Sequence, residues 1–78
     1  MNREELLAKL DEILELPEGT LQGGERLEEL GGWDSLAMMS YMAAVDEGLG
    51  RKLSPRQFVN CDTINDLVAL ALPPTAAN

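Results

Sequence analysis

Asp34-Ser35-Leu36 opens an apolar helical period in a chain of 78 residues, and it sets a hydroxyl where chemistry can be done on it. With Asp34 as the cap, Ser35 takes the first helical position, beside backbone N–H groups without intrahelical acceptors and at the positive end of the helix dipole. A negatively charged adduct on Ser35 Oγ is tolerated there, because helix N-termini bind phosphate groups. The gain is modest, about 0.3–1 kcal/mol at an exposed site, so it permits modification without driving it. Asp and Ser are also common caps with no further role.

Ser35 has no internal base to activate it. The chain contains no histidine and a single cysteine, Cys61, so Ser-His, Cys-His and structural zinc arrangements cannot be assembled. The expectation is a non-enzyme whose serine is activated by another protein. Cys61 reads as a small buried side chain, with nothing positioned by sequence to lower its pKa. One unpaired cysteine fits a reducing compartment, and no segment resembles a membrane span or a signal peptide. A cytoplasmic protein is expected.

Acidic residues number 14 against 6 basic, a net charge of -8. Nucleic acid and anionic membrane are therefore poor partners, and a basic protein patch is favoured. Residues 1–33 carry -6, residues 34–48 carry -3 and residues 49–78 carry +1. Much of the acidity precedes Ser35, where it serves solubility as readily as recognition.

The elements that must hold Ser35 are all helical, with no competing strand signal. Asn2 and Glu5 form a helix-start cap, and Leu6, Leu7, Leu10, Ile13 and Leu14 recur at helical spacing. Arg3, Glu4, Lys9, Asp11, Glu12 and Glu15 fill the opposite face, and Pro17 stops this helix near Glu15. Residues 16–34 form a long ordered loop, pinned by Leu21, Leu27 and Leu30. Gly31 and Gly32 leave room for close approach or positive φ just before the site. Trp33 is placed to pack on Met38 as a hydrophobic staple.

The second long helix, Asp34 to Leu49, carries two apolar stripes. Met38, Tyr41, Met42, Val45 and Leu49 form the wider, core-facing stripe; Leu36, Met39 and Ala43 form a narrower one, left partly exposed unless the domain buries both. Gly48 and Gly50 end the helix. Ser54-Pro55-Arg56-Gln57 opens a short third helix, Pro55 to Asn60, with Phe58 inward, and Thr63 with Asp66 caps a fourth whose inward stripe is Ile64, Leu67, Val68 and Ala71. Pro73 and Pro74 end it, leaving 73–78 as a disordered tail after a domain of residues 1–72.

Gly32-Trp33-Asp34-Ser35-Leu36, opening the second of four helices after a long loop, resembles the acyl carrier protein family over residues 3–71. The resemblance implies an all-α four-helix bundle with a long loop between helices 1 and 2 and a short third helix. It implies that Ser35, preceded by Asp34, receives 4′-phosphopantetheine from coenzyme A through a phosphopantetheinyl transferase. Acyl or aminoacyl groups would then ride as thioesters, supplied by a loading ligase and passed to biosynthetic enzymes with basic docking patches. Leu36, Met39, Ala43 and Val59, with the acidic Asp46 and Glu47, fall at positions that meet such partners. Ala37 and Ser40 depart from the acidic residues common in fatty-acid carriers, which puts docking to fatty-acid synthase enzymes in doubt. The resemblance fits a freestanding monomer. Alternatives are a peptidyl or aminoacyl carrier, suggested by Leu30-Gly31-Gly32 although Trp33 interrupts the usual run, and an unmodified helical interaction module.

Overall fold

Asn2, the cap of the first helix, accepts from Glu5 N at 2.8 Å and donates its own N–H to Glu5 Oε1 at 2.9 Å. In the computed structural model, which describes residues 1–72, this box opens α1, Arg3–Ile13. The helix ends before the expected Glu15, because Glu15 takes the left-handed conformation at φ 59. Glu15 N donates to Glu12 O at 3.1 Å and Leu16 N to Asp11 O at 2.8 Å. This pair of bonds is a Schellman termination, in which glycine usually supplies the left-handed residue. Pro17 then follows outside the helix.

The other helices are α2, Ser35–Leu49, and α3, Ile64–Ala71. Two 3₁₀ turns, Leu27–Glu29 and Pro55–Phe58, lie in the connections, and no strand occurs among the described residues beyond an isolated bridge between Arg26 and Thr63. The expected third helix is thus a single 3₁₀ turn. Its geometry follows from closures three residues apart: Val59 N donates to Arg56 O at 3.3 Å and Cys61 N to Phe58 O at 3.1 Å. The chain is all-helical, with three α-helices among the described residues. The expected tail 73–78, with Pro73 and Pro74, lies outside them.

The core is built by α1 packing against α2 and α3. Leu6, Leu10, Tyr41, Val45, Ile64 and Leu67 are fully buried, and each large aliphatic side chain so buried stabilises by about 1.5–3 kcal/mol. All of the α3 stripe, Ile64, Leu67, Val68 and Ala71, is buried as expected. On α2 the buried stripe is narrower than expected. Ala37, Tyr41 and Val45 are buried, whereas Met38, Met42 and Leu49 are only partly covered.

The loop between α1 and α2 is ordered by specific bonds. Leu21 and Leu27 are buried and Leu30 is half-buried. Asp11, expected on the solvated face of α1, is 2% exposed. Its carboxylate accepts from Gly19 N at 2.9 Å and Leu21 N at 3.0 Å. Gln22 N and Gly23 N donate to Glu25 at 2.8 Å each, which holds the Glu25 carboxyl below the ordinary range. The loop then ties to the start of α3: Asn65 N donates to Gly23 O at 2.7 Å, Ile64 N to Glu25 O at 3.0 Å and Leu27 N to Asp62 O at 2.8 Å. Gly23, at φ 122, lies against the Arg3 and Asn65 side chains, so no other residue fits there.

Candidate site at the start of the second helix

Asp34 is extended, at φ -142 and ψ -172, and its Oδ1 accepts from Ala37 N at 2.9 Å while its carbonyl accepts from Met38 N at 2.9 Å. These bonds satisfy the third and fourth amides of α2. The amides of Ser35 and Leu36 have no protein acceptor among the described residues, and both side chains are exposed. An exposed hydroxyl therefore stands at the first position of a 15-residue helix, beside free N–H groups and the positive dipole end.

Two clefts flank this point. One, of about 290 Å³, is lined by Trp33, Asp34, Ser35, Met38, Pro55, Phe58 and Val59. The other, of about 280 Å³, lies between the end of α1 and the start of α2, with Glu15, Asp34, Leu36 and Ser40 among its walls. A wider depression of about 550 Å³ along α1 shares no lining residue with either.

The approach to Ser35 is fixed from below. Trp33, expected on Met38, shares a cleft with it and has its ring centroid 6.1 Å from that of Phe58. Phe58 in turn meets Tyr41 edge-on at 6.2 Å, linking the site to the core. Tyr41 OH donates to Leu67 O at 2.7 Å, and burial pushes its phenol well above the ordinary range, helped by nearby Cys61. Neither Gly31 nor Gly32 has positive φ. Gly31 faces open space, and at Gly32 a Cβ would come within 3.3 Å of Leu14 Cδ2, a tight contact that a shift of a few tenths of an ångström in that side chain would relieve. Gly48 does not end α2 either; it lies within the helix against Met1, and Gly50 at φ 66 supplies the left-handed terminus.

Leu36, Met39 and Val59 are exposed, at 72%, 61% and 78%. Ala43 and Glu47 are also exposed. Phe58 faces in and Val59 out, as their adjacency requires. Asp46 differs from expectation in being half-buried and engaged by Lys52 Nζ at 3.2 Å. Cys61, expected buried, is half-exposed; burial raises its thiol pKa, and the carboxylates of Asp66 and Asp62 raise it further.

Sequence patterning misses Asp11, Lys52 and the Arg3–Asn65 bond of 2.6 Å. A signal for Asp11 exists, since it shares a helix face with Leu7 and Leu14 by three- and four-residue spacing. Nothing local signals the other two, whose partners are set by the fold.

A family model described as phosphopantetheine attachment site matches residues 4–71. No curated protein and no solved structure gives a significant match.

Proposed function

Because the chain belongs to the phosphopantetheine attachment site family, whose members carry 4′-phosphopantetheine covalently, we propose that Ser35 is its attachment point and that the chain carries acyl or aminoacyl groups between enzymes. The observation that carries this reading is the exposed Ser35 hydroxyl at the start of α2. In the proposed architecture the turn Pro55–Phe58 stands where a four-helix carrier has its short third helix.

The residues at hand fit the group. The free amides of Ser35 and Leu36 and the helix dipole favour a phosphodiester on Ser35 Oγ. Trp33, Met38, Phe58 and Val59 offer an apolar wall beside it. When bound, 4′-phosphopantetheine supplies a terminal thiol that holds acyl groups as thioesters. Asp34, bonded to Ala37 N, fixes the helix start so that Ser35 points outward. A phosphopantetheinyl transferase must supply the base that takes the Ser35 proton as the Oγ–P bond forms and the pyrophosphate bridge of coenzyme A breaks. Leu36, Met39, Ala43 and Val59 form the contact surface for that transferase, for loading ligases and for downstream enzymes, and tethering raises the cargo's effective concentration at their active sites.

Incubation with coenzyme A, magnesium and a broad-specificity transferase tests the reading by intact mass. The chain gains one phosphopantetheinyl group, and Ser35→Ala gains none. An unchanged wild-type mass beside a competent control carrier overturns the reading.

A further inference from the structure

Between Leu30 and Ala37 every residue is exposed except Trp33. Asp34, Ser35 and Leu36 stand in solvent, Gly31 faces open space, and Ala37 is the first residue of α2 that the core covers. The hydrogen bonds that shape this stretch are local. Asp34 Oδ1 accepts from Ala37 N at 2.9 Å and Trp33 N donates to Leu30 O at 3.2 Å, so neither reaches another helix. The side chain that ties the stretch to a distant element is Trp33, whose ring centroid lies 6.1 Å from that of Phe58. Phe58, in the turn Pro55–Phe58, meets the fully buried Tyr41 edge-on at 6.2 Å, and Tyr41 OH is bonded to Leu67 O on α3.

A local cap orients Ser35 within α2, but it does not fix where the segment that enters the helix lies on the molecule. A transferase has to bring its base and the pyrophosphate bridge of coenzyme A to one oxygen, and a displacement of about 1 Å in a reacting group costs up to about a hundredfold in rate. We infer that Trp33 is a positioning residue for the modification of Ser35, acting through its packing on Phe58. This rests on the reading of Ser35 as the modified residue and adds the side chain that holds it in place. Phe58 exposes 8% of its surface and offers an enzyme little to touch. An effect of Phe58 on the rate is therefore one of placement rather than of contact.

The test is transferase labelling at saturating coenzyme A and varied carrier concentration, with Trp33→Ala, Phe58→Leu and the double variant. Each single variant lowers kcat about tenfold and leaves the KM for the carrier within about threefold, and the double variant loses no more than either, because both break one link. Trp33→Phe, which keeps a ring against Phe58, recovers kcat to within about threefold of wild type. Trp33 is the single tryptophan, so its fluorescence reads the packing without the enzyme: Phe58→Leu shifts the emission to the red while the far-ultraviolet circular dichroism holds. Losses that multiply in the double variant, a change confined to KM, an emission unmoved by Phe58→Leu, or folded variants with unchanged kcat each overturn the inference while leaving Ser35 modification intact. If Phe58→Leu fails to fold, Trp33→Ala against Trp33→Phe decides, and the absence of recovery by phenylalanine overturns the inference. A wild-type chain that is never labelled beside a competent control carrier overturns the modification reading itself, and this inference with it.

Discussion

Asp11 lies on α1 beside residues that face water, yet its carboxylate is buried and holds the amides of Gly19 and Leu21. A carboxylate in that position converts a loop rich in glycine into a fixed path toward Ser35. Asp11→Ala strips the acceptor from both N–H groups, at about 1–3 kcal/mol for each one left buried and unpaired. Urea unfolding should therefore show a loss of about 1–3 kcal/mol, chiefly from the buried Leu21 N–H, since Gly19 is exposed. Asp11→Asn, which keeps one acceptor oxygen, should fall between the two. A loss below about 0.5 kcal/mol for the alanine variant, the range of ordinary surface substitutions, would mean that the loop's path is set by Leu21 and Leu27 instead. Sequence patterning puts Asp11 with the polar residues because charge type outweighs spacing in such a reading. Its spacing with Leu7 and Leu14 signals the covered side of α1, but its partners depend on where residues 19–21 return, which no local signal encodes.

Among the elements, α2 serves two ends at once, since one edge holds Ser35 in solvent while the other closes the core. The second function falls on Tyr41, fully buried, whose hydroxyl bonds to Leu67 O and whose ring is met edge-on by Phe58. Burial raises the phenol pKa in the folded chain, so the unfolded chain loses this proton first as pH rises past about 10. The stabilising contribution is complete below that pH and is lost above it, by up to about 1.4 kcal/mol per pH unit. Denaturation between pH 9 and 11 should thus show falling stability in the wild type and a flatter profile in Tyr41→Phe. The variant itself should cost about 1 kcal/mol at neutral pH through the lost hydrogen bond. Equal alkaline slopes for the two proteins would assign the loss to other groups. The helices themselves are legible from caps and periods: the boxes at Asn2 and Thr63 and the α3 stripe stand where local spacing puts them. The turn Pro55–Phe58 is legible as an element but not as 3₁₀. Periodicity alone overstates the wider α2 stripe, because tertiary cover stops at Ala37, Tyr41 and Val45.

Over the whole molecule, charge is divided unevenly along the chain, -6 over residues 1–33 against -2 over the rest. Nine acidic and three basic residues crowd the first 33 positions. The ion pairs among them, Lys9 with Glu12 at 2.9 Å and Arg26 with Glu28 at 3.1 Å, are exposed. Exposed pairs contribute roughly 0–1 kcal/mol, whereas each pair of like charges about 10 Å apart repels by about 0.4 kcal/mol in water, and the excess is summed over many such pairs. Repulsion therefore outweighs local attraction, and screening should stabilise the fold. Raising sodium chloride from about 0.02 to 0.5 M should raise the urea midpoint, by an amount worth on the order of 1 kcal/mol. Chloride is the salt to use, because sulfate stabilises by exclusion whatever the charge. A midpoint that falls with chloride would show that the surface pairs outweigh the repulsion and that the acidic half has a fold-stabilising arrangement of its own.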